Sequence, residues 1–341
     1  QGRMTTQSSY GRITPKQFDE FLDEVLLPAQ KAQFKACQEL DTAILYEGLV
    51  RCRINCAESI TGGSMVLRLI SLAVPTLEKL NLPAVMGYLV EERQGLILVT
   101  GSVNSGKSTS LAAMLRHVND TQSRKVVTIE DPIEYVHASN LSLFTQREVG
   151  MHTQEFKDAL RAALRQDPDI ILIGEMRDRE TVDTALRAAL TGHLVLGTLH
   201  TKGAANAFKR LLNFYSAEEQ DTVRYQIVDA LKAVIAQSLV PTVQGGRTAA
   251  LEIMVNTDTI RDYLLKGCFD EIYQIMEEGV DNSQTLNQSL FDLHESGIIS
   301  TTDALAASLA PEDLGYMLKN FTRRSSRSGL LTSDYINRSP T

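Results

Sequence analysis

The stretch Gly101-Ser102-Val103-Asn104-Ser105-Gly106-Lys107-Ser108 fits the pattern G-x-x-x-x-G-K-[ST]. Glycines at this spacing let successive backbone N–H groups turn inward on phosphates. A helix starting at the lysine adds positive potential there. Lys107 would reach the β- and γ-phosphates of a nucleotide, and Ser108 would offer its hydroxyl to Mg²⁺. With Thr109, these residues form the expected nucleotide-contacting set. A glycine-rich turn without a ligand is the rival reading. It is disfavoured because an apolar run precedes the motif and a helical pattern follows it.

Three more constellations carry chemistry. Ile170-Ile171-Leu172-Ile173-Gly174-Glu175 reads as a central strand ending in an acid. Ligands bind at the carboxyl ends of such strands, so Glu175 is the expected Mg²⁺ partner, through water. The usual Asp is replaced by Gly174. Thr128-Ile129-Glu130-Asp131-Pro132-Ile133-Glu134-Tyr135 places three carboxylates after another strand. Clustered acids repel, which suits a cation or proton transfer; a solvated loop is the alternative. His193 and His200 bracket the run Leu194–Leu199. They matter chemically only if that strand abuts the nucleotide; a structural histidine is the alternative.

These groups need a scaffold, and the pattern supplies one. Leu96–Thr100, Val126–Ile129, Ile170–Ile173 and Leu194–Leu199 read as strands. They alternate with helical patterns over Ser108–Asn119, Glu155–Gln166 and Thr181–Leu190. Such alternation predicts βαβ crossovers, a mainly parallel sheet and helices on both faces. Leu239–Val243 and Thr248–Ile253 read as a strand pair turning at Gly245-Gly246. Upstream, Thr14–Leu40 reads as one helix with a Thr14 cap and a first-turn Pro15. Ala43–Ala57 and Ser64–Ile70 are strand-like.

The 341 residues allow one large or two modest domains, and 43% hydrophobic with 22% charged excludes wholesale disorder. No apolar run approaches the roughly 18–20 residues of a membrane span. A net charge of -8 argues against a dedicated nucleic-acid binder. Cys37, Cys52, Cys56 and Cys268 show no zinc spacing and read as reduced thiols. Residues 322–341 read as a mobile tail.

In this order the boxes resemble the hexameric secretion ATPases, and most of all the type IV pilus retraction ATPases of the PilT/PilU type. The resemblance spans roughly Val50–Leu318. It rests on Glu130-Asp131-Pro132-Ile133-Glu134, Thr145-Gln146-Arg147-Glu148-Val149-Gly150, Ile173-Gly174-Glu175-Met176-Arg177-Asp178 and the two-histidine box. It implies an α/β fold: a RecA-like P-loop core preceded by a small α+β, PAS-like domain that begins partway through. The expected segments are 1–82, a linker at 83–94, the core at 95–275, a helical region at 276–321 and the tail.

The resemblance also implies roles. Glu134 matches the family's catalytic glutamate, and Glu175 that of its atypical Walker B. His193 and His200 match the pair linking nucleotide state to subunit geometry. Arg53 and Arg68 match arginines that approach nucleotide at subunit interfaces; Arg51 is a further candidate. The implied protein is a homo-hexameric, Mg²⁺- and ATP-dependent retraction motor without zinc. It would be cytoplasmic, working on an inner-membrane platform protein and beside a paralogous ATPase. Ser64–Arg68 and Leu290–Leu293 lean toward the PilU type. Thr259–Leu265 departs from the A-I-R-N-L-I motif tied to retraction, keeping Ile260, Arg261 and a late Leu. Asn104 stands where the family has glycine. Asn tolerates positive φ, so the loop can form, with turnover expected to be reduced. The alternatives are a related assembly or secretion ATPase and a weakly hydrolysing adapter subunit.

Overall fold

In a computed structural model, the chain divides into two compact units, Gln1–Ala73 and Val74–Thr341. The described residues are 9, 11–46, 50–70, 73–279 and 282–320. The expected tail at 322–341 lies outside them.

The first unit opens with α1 (Pro15–Val25). Thr14 Oγ1 accepts from Gln17 N at 3.3 Å, and Gln17 Oε1 accepts from Thr14 N at 2.9 Å. This reciprocal box starts the helix where the sequence places it. The single helix expected to Leu40 is instead two. Leu26 and Leu27 are extended, with ψ 144° and 152°, and α2 (Pro28–Cys37) begins at the proline. The Pro28 ring excludes helical geometry for the residue before it. The stretch over Ala43–Ala57 is likewise two strands, β1 (Glu39–Tyr46) and β2 (Val50–Ser59). With β3 (Gly62–Ile70) they form an antiparallel sheet in the order β1-β2-β3. Cys52, Ile54 and Cys56 of β2 alternate onto Leu22, Leu26 and Phe34 of the helices. Period-two alternation therefore sends Arg53 to the opposite face, where it pairs across the strands with Arg68.

The second unit carries a seven-stranded sheet. In chain order its strands are β4 (Gly95–Thr100), β5 (Lys125–Glu130), β6 (Leu143–Glu148), β7 (Ile170–Ile173), β8 (Leu194–Leu199), β9 (Leu231–Pro241) and β10 (Arg247–Val255). Their spatial order is β10-β9-β4-β8-β7-β5-β6, and every pairing is parallel except β9–β10. The strand pair turning at the two glycines is therefore present, with β9 starting eight residues earlier, at Leu231.

The sheet is buried on both faces. Ile97 and Val99 of β4 pack toward α3 (Val85–Val90) and α4 (Lys107–Thr121). Leu96 and Leu98 face the cluster built from α5 (Phe156–Ala163), α6 (Arg179–Leu190), α7 (Ala204–Leu212) and α8 (Ala217–Ala230), with α9 (Asp258–Lys266) and α10 (Phe269–Glu277). A third cluster joins the β9–β10 hairpin to α11 (Leu286–Glu295), α12 (Thr301–Ala307) and α13 (Pro311–Asn320).

Two elements run across expected segment boundaries. The segment 83–94 holds α3, whose Val85, Met86, Leu89 and Val90 are buried, so it is part of the second unit. Pro83 lies just before that helix, whose N-cap is Ala84. The boundary at 275/276 falls inside α10.

Candidate active site

The parallel strands β4, β5, β7 and β8 end on one edge, and the functional side chains gather there. The loop between β4 and α4 uses left-handed backbone at Asn104 (φ 64°) and Gly106 (φ 87°). Asn104 therefore adopts the conformation for which its residue type is among the best tolerated. Lys107 is only 8% exposed. Its Nζ donates to Gly101 O and Ser102 O, both at 3.0 Å, and lies 3.5 Å from His200 Nδ1. Burial pushes the Lys107 ammonium down, against the raising effect of Glu175 and Glu134.

A brace from β9, not foreseen from sequence, supports the loop. Gln237 Nε2 donates to Ser105 O at 2.9 Å, and its Oε1 accepts from Ser110 Oγ at 2.7 Å. A Cβ on Gly101 would stand 2.3 Å from Gln237 O, and one on Gly106 2.8 Å from Gln237 Nε2. Gly101 is thus required by the packing of β9, whose carbonyl cannot move away, whereas at Gly106 the positive φ is the stronger demand.

Glu175 follows β7, as expected. The absent Asp has a steric reason: a Cβ on Gly174 would lie 3.1 Å from Glu130 Cα and from Ile129 O. Glu175 Oε2 lies 2.6 Å from Arg177 Nη2 and 3.4 Å from His200 Nε2. Burial raises the Glu175 carboxyl, but Arg177 and His200 outweigh it and hold the group below the usual carboxylate range. Arg177, which also lies 3.7 Å from Asp131 Oδ2, was not singled out in the sequence.

Ser108, Glu130, Asp131, Glu134, Glu175 and Arg177 line one cavity. Tyr135 OH meets Thr109 Oγ1 at 3.1 Å, joining the acidic loop to the first turn of α4. Glu130 is partly covered by area, yet its carboxylate is enclosed by protein. Burial pushes it up to about 7 despite hydrogen bonds from Thr128 and Gln146.

The two histidines separate. His200 stands at the carboxyl end of β8, between Lys107 and Glu175. His193 stands at the opposite end, with Nδ1 3.2 Å from Ala188 O. Seven residues of strand put about 23 Å between them. His193, expected with His200 in the pair that links nucleotide state to subunit geometry, therefore does not share the strand end where His200 meets Lys107 and Glu175. Arg53 and Arg68 lie side by side on β2 and β3 in the first unit, and the Arg51 side chain lies outside the described residues.

The donor set suits Mg-nucleotide. A 15-residue helix points its N-terminus into the loop, an anion site. The Ser108 hydroxyl and the Glu175 carboxylate are hard oxygen donors of the kind Mg²⁺ takes together with substrate phosphates and water. Among the described residues, no group of three or more His, Cys, Asp or Glu is placed to hold a metal by itself, so phosphate would have to complete the shell. No helix among them is long and apolar enough to cross a membrane.

The profile of the type II/IV secretion system protein family matches residues 39–295. The chain is 42% identical to the type IV pilus retraction ATPase PilT of Pseudomonas aeruginosa over 299 residues, 87% of each chain. It is 40% identical to the type IV pilus ATPase PilU of the same organism over 309 residues, 90% of this chain and 81% of the relative. A crystal structure of the pilus retraction motor PilT with bound ADP superimposes with a TM-score of 0.86 at 39% identity, covering 92% of this chain and 90% of that one. The Legionella pneumophila ATPase DotB gives 0.75 at 32% identity, covering 86% and 83%.

Proposed function

Because this chain belongs to the type II/IV secretion system protein family, we propose that it is a Mg²⁺-dependent ATP hydrolase powering type IV pilus retraction as a homo-hexameric motor. The observation that carries the reading is the single cavity in which Ser108, Glu134 and Glu175 meet beside the phosphate loop.

The roles follow from position. Backbone N–H groups of the loop and Lys107 bind the phosphates. Ser108 and Glu175 would hold Mg²⁺, which when bound would supply positive charge to offset that of the phosphates. Glu134 orients the attacking water and accepts its proton, and His200 reports the phosphate through its contacts with Lys107 and Glu175. Arg53 and Arg68, as a cross-strand pair, are offered as the arginines a neighbouring subunit receives. The motor would be cytoplasmic, held at the inner membrane by a platform protein and accompanied by a paralogous ATPase.

The left-handed Asn104 is a residue type that tolerates this conformation, so the altered loop is no argument against a nucleotide-binding, hydrolysing subunit. The retained positions of α9 have packing partners: Ile260 and Leu264 are buried, and Arg261 Nη2 bonds Asp229 Oδ1.

The test is Mg²⁺-dependent ATP hydrolysis by the purified chain at concentrations spanning hexamer assembly. Lys107→Ala and Glu134→Gln should each lower kcat by about 10²–10⁴-fold. Nucleotide binding without hydrolysis in an assembled hexamer would overturn the reading in favour of an adapter.

A further inference from the structure

Asp131–His137 leaves the end of β5 as neither helix nor strand, and it carries Glu134. Such a segment would ordinarily be mobile. Here side chains of the neighbouring strands hold its backbone at Ile133, Tyr135 and His137. Glu148 Oε2 accepts from Ile133 N at 3.0 Å. The backbone N–H of Glu134 faces the Glu130 carboxylate and favours its charged form. The same carboxylate accepts from Thr128 Oγ1 at 2.7 Å and from Gln146 Nε2 at 3.4 Å. Gln146 then spans the next turn: Nε2 donates to Tyr135 O and Oε1 accepts from His137 N, both at 2.8 Å. The β5–β6 register explains the meeting, because Thr128 pairs with Gln146 and Glu130 with Glu148.

We propose that Glu130 and Gln146 are positioning residues for hydrolysis: Gln146 holds the backbone that follows Glu134, Glu130 anchors the Gln146 amide, and together they keep the Glu134 carboxylate in the cavity with Ser108 and Glu175. Although Glu130 lines that cavity, its carboxylate is committed to donors of the protein. Gln146 uses its amide on both the carboxylate and the loop. Neither needs to touch nucleotide; each acts through Glu134. The inference rests on the hydrolase reading above.

A positioning role separates kcat from binding. Glu130→Gln replaces a carboxylate that accepts from Thr128 and Gln146 with an amide that can accept at one oxygen only. Gln146→Leu removes both loop bonds from the other side. In the full-length chain, each variant should lower kcat by about tenfold or more, because a small misplacement of the base is costly. The KM for ATP and the Kd for fluorescently labelled ADP should stay within about threefold, because the phosphate loop is untouched. The double variant should lose about as much as the worse single variant, since both act on one segment.

Normal kcat in Glu130→Gln, beside an active wild type and an inactive Glu134→Gln, would overturn this inference alone. ADP affinity falling in parallel with kcat would also overturn it, since the loss would then be general. If Glu130→Gln does not fold, Gln146→Leu decides by the same criteria. A wild-type hexamer without hydrolysis would overturn the hydrolase reading, and this inference with it.

Discussion

Gly101 offers a sharp test of how the phosphate loop is built. Its φ of 148° lies in the region that L side chains avoid, and a Cβ there would meet Gln237 O at 2.3 Å and Ser105 Oγ at 2.6 Å. In Gly101→Ala the backbone conformation costs about 1–2 kcal/mol. The clash adds about 1–3 kcal/mol, because one obstacle is a strand carbonyl that cannot rotate away. Gly150 is the control. Its φ is 85°, and a Cβ there would meet nothing within 4 Å. Gly150→Ala should therefore cost only the conformational part. At roughly 2–4 °C per kcal/mol for a domain of this size, the clash alone should make Gly101→Ala melt about 2–12 °C below Gly150→Ala. Scanning calorimetry of both variants without nucleotide reads the difference directly. Equal melting temperatures would refute the claim that β9, and not phosphate alone, demands a glycine at the head of the loop.

Two further expectations follow from backbone and charge. Asn104→Gly should change turnover by less than about threefold, because the wild-type residue already occupies left-handed space at little cost; a tenfold acceleration would show that asparagine limits the loop, as the sequence suggested. Glu130 is an acid whose carboxyl is raised in the fold from 4.5 to about 7. The stability linked to it is therefore greatest below pH 4.5 and declines as pH rises toward 7, by at most about 3 kcal/mol. Glu130→Gln should flatten that part of the urea-unfolding profile, while a slope unchanged from wild type would contradict the burial argument.

The phosphate loop and the strand–helix alternation were legible because both depend on residues close together in sequence. The capping box at Thr14 is equally local. The failures have different causes. Pro28 breaks α1 from α2 by constraining the residue before it, a signal masked by the apolar repeat running across it. The strand β6 escaped notice because it is an edge strand with only Glu148 fully buried, so no hydrophobic alternation marks it. The helix α3 was hidden between a proline and charges that suggested a linker. Gln237 could not be found at all: it acts across 132 positions on the phosphate loop, and glutamine carries no motif of its own. Gln146 lies within a string that carries the resemblance, but its contacts with Tyr135 and His137 depend on the pairing of β5 with β6. His193 could have been separated from His200 by strand length alone.

The bonds that build the nucleotide cleft join distant parts of the chain. Lys107 reaches His200 across 93 positions, Thr100 Oγ1 reaches Leu199 O across 99, and Gln237 reaches Ser105 across 132. During synthesis, residues 101–108 leave the ribosome long before Gln237 exists to brace them. A nascent chain therefore carries the complete motif without a complete binding surface. Nucleotide can then select for finished domains, because whatever binds only the native fold draws the folding equilibrium toward it. Cellular ATP would thus act on this protein first as a check on its completion, before it is ever consumed as fuel.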